Sequence, residues 1–160
     1  MIRKNCLRLC IILFCFLSAC SKEPERDKQS QLLNTFQTME KAIEAKKLDD
    51  FLLHVDDNFI STDRGWSKKD AERLLRLRLM RNQSIHIHQA IKSIDWLNDT
   101  KSQVEVEIVV AVAGTAFSLT DLPSFRGDMM KFMVTLEASD NGFKVTKASW
   151  VRATPADFIL

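Results

Sequence analysis

The chain has 160 residues, 46% of them hydrophobic and 28% charged, with 23 basic residues against 21 acidic ones. That length and apolar content suit one domain with its own hydrophobic core. The near-balance of charge leaves no basic footprint for nucleic acid. Tyrosine is absent altogether.

The chain opens with "MIRKNCLRLCIILFCFLSAC": Arg3, Lys4 and Arg8, then an apolar run over Leu9–Leu17, then small residues before Cys20. This is the three-part layout of a secretory signal, and its apolar core is shorter than the ~20 residues that a membrane span needs. The ending Leu17-Ser18-Ala19-Cys20 resembles the lipobox of bacterial lipoproteins. The resemblance implies cleavage before Cys20, lipid attached through its thiol, and a bacterial cell-envelope protein facing the periplasm. In the lipoproteins it resembles, the residue after the cysteine influences sorting, so Ser21 in place of Asp implies the outer membrane over the inner. Each buried methylene contributes ~0.8 kcal/mol, so two or more acyl chains hold a protein stably on a bilayer. Residues 1–19 thus read as a signal peptide, 20–28 as a lipidated tether and 29–160 as the domain.

Cys6, Cys10, Cys15 and Cys20 are all the cysteines there are. A disulfide, a cysteine nucleophile and a thiolate metal site are therefore excluded from the domain. Without residues 1–19 the basic residues number 20 against 21 acidic ones. "SKEPERDK" (Ser21–Lys28) is charged, holds a proline and lacks an apolar face. It reads as a tether reaching at most ~26–29 Å.

Three amphipathic helices are predicted next. Leu32, Leu33, Phe36, Met39 and Ile43 recur at helical spacing through about Lys46. Leu48, Phe51, Leu52, Val55 and Phe59 repeat the pattern, with Asp49 and Asp50 at the end where a helix dipole favours acids. Ser67-Lys68-Lys69-Asp70 is a capping box that opens a helix to about Arg81. "STDRGW" (Ser61–Trp66) connects the last two.

After Asn82 the period falls to two. Ile85, Ile87 and Ile91 begin a strand ending near Trp96. Val104, Val106, Ile108, Val110 and Val112 make a second, wet on one face at its start and buried on both later. Gly114–Asp128 is a 15-residue loop. Phe132, Val134 and Leu136 mark a third strand, "SDNG" a hairpin turn, and Phe143–Arg152 a fourth. The expectation is an α+β fold, with three N-terminal helices packed on a curved antiparallel sheet of about four strands.

In this order the stretches "MEKAIEAKKLDDFLLHVDDNFIS", "WSKKDAERLLRLRL" and "MVTLEASDNGFKVTKASWVRA" resemble the NTF2-like (cystatin-like α+β cone) superfamily. The resemblance covers roughly residues 29–152 and is one of pattern and order. It implies a cone-shaped cavity and a sheet able to support a homodimer. The superfold hosts isomerases, dehydratases, hydrolases, lipid carriers and non-catalytic modules, so fold alone does not assign function. Its steroid-isomerase and dehydratase branches rely on tyrosine, and neither constellation carries over to this chain.

The remaining acid–base groups are His54, His86, His88, Asp63, Asp95 and Asp99. His86 and His88, two apart on a strand, point to one face, with Ile85 and Ile87 on the other. Alternation alone explains the pair, and a zinc site needs a third protein ligand. Arg78 falls on the apolar arc of the third helix with Ala71, Leu74, Leu75 and Leu79. A charge there is paired, snorkels to water, or binds an anion. In the superfamily this helix tends to line the cavity, which makes Arg78 the first choice for a ligand contact.

Trp96, Phe117 and Phe125 complete the ligand-binding set. The loop carrying the two phenylalanines either caps the cone, forms a partner-binding patch, or tucks onto the domain. "ADFIL" ends the chain as a docking tail or an exposed apolar peptide. The preferred reading is a non-catalytic, lipid-anchored module, lipidated at Cys20. It needs no cofactor or metal, and it binds an envelope protein or an apolar ligand. The alternative is a lyase, isomerase or hydrolase working in the cavity.

Overall fold

The computed structural model describes residues 24–159. Cys20 and the signal segment lie outside them. Helix α1 (Pro24–Glu44) takes in the last part of the stretch read as tether. Proline suits a first helical turn, where its missing N–H would have had no partner. Leu32, Phe36, Ala42 and Ile43 form the buried stripe of α1. Lys46 then adopts a φ of 57°. The N–H groups of Lys46 and Lys47 donate to the carbonyls of Ile43 and Ala42 at 3.0 and 2.8 Å, closing the last turn.

The second helix is shorter than expected. Helix α2 (Leu48–Leu52) stops after five residues, and Val55–Ser61 is strand β1. A spacing of four residues fits one helical turn and also two strand repeats. Val55, Phe59 and Ser61 are the buried positions of β1 and share one face of the strand. Asp56, Asp57 and Asn58 are weak helix formers and weak strand formers alike, so the choice is made by pairing with the strand Gly142–Arg152.

Helix α3 (Lys68–Arg81) starts where expected. The Asp70 carboxylate accepts from the Ser67 N–H at 3.0 Å and the Ser67 hydroxyl at 2.7 Å. Strands β2 (His86–Trp96), β3 (Gln103–Ala113), β4 (Asp128–Ser139) and β5 (Gly142–Arg152) follow, then a short helix α4 (Ala156–Ile159).

The sheet has five strands in the order β1-β5-β4-β3-β2. The last four pair antiparallel as expected. β1 adds a parallel edge, with Val55 opposite Val145, so the sheet is mixed. Irregularities at Ile91/Ser93 and Thr135/Leu136 bend it. Its concave inner face holds the main core, where Val104, Val106, Leu136 and Phe143 are fully buried with Leu32 and Phe36 of α1. A second cluster of Ile43, Leu48, Leu79 and Ile85 sits where α1, α2 and α3 meet β2. This is an α+β cone.

One buried polar contact ties helix to sheet. Thr35 Oγ1 donates to the Gln31 carbonyl at 3.0 Å and accepts from the Phe143 N–H at 3.2 Å. Gly142 makes room for it: φ is 111°, and a Cβ there would lie 2.8 Å from Thr35 Oγ1. No helix among the described residues is long and apolar enough to cross a membrane.

Candidate functional site

The histidines of β2 point away from the cone. Ile87 packs with the cluster around Leu79 and Ile85, and Ile91 packs with the main core. His86 and His88 alternate with them and occupy the outer face. There His88 stands opposite Ala111, and its ring meets Phe117 edge-on at 6.3 Å. Phe117 in turn lies 4.6 Å from Phe125. The loop thus tucks back onto the outer face of the sheet. Gly127 permits the approach, because a Cβ there would fall 2.3 Å from the Val112 carbonyl oxygen. Among the described residues, no three His, Cys, Asp or Glu side chains converge on a common point.

Arg78 and Trp96 make contacts different from those of this pair of rings and from each other. Arg78 is 60% exposed and forms an ion pair with Asp128, tying α3 to the start of β4. Trp96 packs against the main core beside Phe143, ring centroids 6.0 Å apart. It ends the 11-residue strand β2, roughly 30 Å along the sheet from the His86 end. The four residues form no single site.

A more concentrated group sits at the rim of the inner face, where the loop after β1 meets β4 and β5. Trp66 and Trp150 pack edge-on at 5.7 Å, and Phe132 lies 5.9 Å from Trp150. The Arg64 guanidinium stacks over Trp150 at 4.1 Å and pairs with Asp63. Asp63 accepts from the fully buried Ser61 hydroxyl at 2.6 Å. That hydroxyl is the leading cause that lowers the Asp63 carboxyl below its ordinary range. Asp63 is thus ionised, paired and a poor proton carrier near neutrality. Asp63 is among the acid–base groups of the sequence, but the stacking of Arg64 over Trp150 has no periodic signal.

One carboxyl moves the other way. Burial, then the neighbouring Glu44 charge, raise Glu40 above its ordinary value, against the pull of His88 and a hydrogen bond with Gln89. Glu44 itself accepts from the Ile87 N–H at 2.8 Å. Asp95 and Asp99 are exposed, and the His54 carbonyl accepts from the Val145 N–H.

The outer face carries a shallow depression of about 450 Å³ lined by Lys92, Glu107, Lys131, Thr154 and Asp157. Lys131 Nζ donates to Asp157 Oδ1 at 2.9 Å, and the other Asp157 oxygen accepts from the Thr154 N–H and hydroxyl at 2.8 Å. The C-terminal tail therefore docks, with Ile159 left exposed. The Thr154 N–H, then Lys131, lower the Asp157 carboxyl to about 2.

No family model matches the chain, and no curated protein matches it either. Solved structures do. A structure of Bdellovibrio bacteriovorus Bd1075 superposes with a TM-score of 0.62 at 17% identity, over 83% of this chain and 44% of that one. This chain thus spans less than half the length of that protein. An NTF2-like protein of unknown function from Shewanella oneidensis MR-1 gives 0.56 at 13% identity, over 76% of this chain and 97% of that one. The hexachlorocyclohexane dehydrochlorinase LinA-type3 from Novosphingobium barchaimii LL02 gives 0.58 at 10%, over 80% of this chain and 88% of that one. At such identities the likeness is one of fold, and residues 24–159 have the NTF2-like, cystatin-like α+β cone fold.

Proposed function

We propose that the chain is a lipid-anchored protein of the bacterial cell envelope whose NTF2-like domain faces the periplasm and binds a partner without transforming it. The observation that carries the non-catalytic part is that the described buried side chains of the inner face are apolar or bonded internally. Val104, Val106, Leu136 and Phe143 are fully buried on the inner face. The two buried polar side chains described there, Thr35 and Ser61, are both spent on internal hydrogen bonds. A catalytic cone needs at least two converging polar groups aimed into open space. The dehydrochlorinase and other enzymes of this fold keep the lyase or hydrolase alternative in view. The lowered Asp63 and the separation of Arg78 from Trp96 speak against it.

The anchoring part rests on Leu17-Ser18-Ala19-Cys20 closing a basic and apolar segment. The outer membrane is the preferred location, from Ser21. Growth with an alkyne-tagged palmitate tests the anchor. The wild type takes up the tag and fractionates with membranes. Cys20→Ser takes up none. A tagged Cys20→Ser protein, or an untagged wild type, contradicts the reading.

A further inference from the structure

Helix α3 carries six basic residues against two acidic ones in "KKDAERLLRLRLMR", in a chain whose overall charge is nearly balanced. Its buried side is narrow: Leu79 is buried, with Ala71 and Leu75 packed beside it. The opposite side exposes large apolar side chains, Leu74 at 37%, Leu77 at 46% and Met80 at 77%. At ~100° per residue these three span about 120° of the helix circumference. Arg73 and Arg81 project within the same arc, and Arg76 and Arg78 stand at its two edges.

The charges on this face differ in how they are held. Arg76 pairs with Glu72 and Arg78 with Asp128. Arg73 and Arg81 make no ion pair among the described residues. The two acids of α3 are already engaged, Asp70 by Ser67 and Glu72 by Arg76. The exposed arc is therefore apolar at its middle and carries more cations than acids. The one acid within it, Asp70 of the first turn, is bonded to Ser67 and lies near Arg73.

We propose that this face of α3 is a docking surface for a bilayer rich in anionic lipid headgroups. An interfacial helix lays apolar side chains just below the headgroups while arginines reach back up to the phosphates. The α3 arc has that layout. It is convex and runs along 14 residues, about 21 Å, which suits a flat surface better than a peptide groove. The proposal takes one thing from the preceding reading, that lipid on Cys20 delivers the domain to a membrane. The α3 face would then be the second, weaker attachment that orients the cone.

Hydroxyl-radical footprinting tests it. The full chain, purified from the membranes of an expressing bacterium, is reconstituted with excess vesicles of phosphatidylcholine alone or of phosphatidylcholine and phosphatidylglycerol in equal parts. Labelling of Met80 and Leu77 is expected to fall at least threefold on the anionic vesicles. Val151 and Ile159, exposed away from α3, serve as unchanged references. Protection should vanish in the Arg73→Glu/Arg81→Glu double variant and, in the wild type, at molar salt, where charges beyond ~3 Å are screened.

Equal labelling of Met80 on both vesicles overturns the proposal. So does protection that appears only when envelope proteins are added back, which would assign the face to an acidic protein surface. The mass of the Cys20 peptide in the same sample reports the anchor separately. If that peptide carries no lipid, the anchor reading fails by itself, and Met80 on excess anionic lipid still decides α3.

Discussion

At the scale of single residues, the contact between Thr35 and Phe143 shows how a helix is pinned to a sheet by one hydroxyl. Thr35 is 2% exposed and Phe143 fully buried, so the Phe143 N–H has no water to turn to. Thr35→Val keeps the shape and removes the acceptor. It should cost about 1–3 kcal/mol, the penalty for an unpaired buried donor, read as a lower urea midpoint with an unchanged slope. Glu40 makes a prediction of opposite sign. Its carboxyl is raised in the folded protein, chiefly by burial, so the folded state holds its proton more tightly than the unfolded chain. Stability from this group is present at low pH and is lost as pH rises through its folded value. Glu40→Gln should therefore raise the melting temperature at pH 7, by no more than about 2–4 °C. By pH 4 the gain should shrink towards nothing. An equal gain at both pH values would show that charge is not the cause.

At the scale of elements, the strands of the meander and the start of α3 were legible because their signals are local. Val104, Val106 and Ile108 alternate, and Ser67 precedes Asp70 by three. β1 was not legible as a strand, because Val55 and Phe59 satisfy both periods at once. What selects the strand is a partner about ninety residues away, Val145 on β5, and no periodicity reports that. The tail is another long-range element. Asp157, lowered to about 2 mainly by the Thr154 N–H and then by Lys131, holds α4 to the outer face while ionised. Its support is present above the ordinary carboxylate range and is lost as pH falls towards 2. Pepsin digestion followed by mass spectrometry should leave residues 154–159 attached at pH 4 and release them near pH 2. Asp157→Ala should release them at both. A tail released from the wild type at pH 4 would mean that the ion pair does not hold it.

At the scale of the whole molecule, the α+β order of helices then strands predicted the cone, and the solved structures share it. The site was less legible. Arg78, Trp96, Phe117 and Phe125 each met a sensible criterion alone, yet they lie on a helix surface, in the core and on the outer face of the sheet. Their separation follows from strand direction and sheet curvature, which depend on pairing across the whole chain. The Arg64–Trp150 stack was hidden for the same reason, since its partners come from opposite halves of the sequence. The central proposal is an anchored cone whose inner face is lined by an apolar core. Native mass spectrometry of the protein extracted from membranes tests both parts at once. The expected result is a chain that begins at Cys20 and carries covalent lipid, with no small molecule retained. An unmodified Cys20, or a ligand carried through purification, would contradict it.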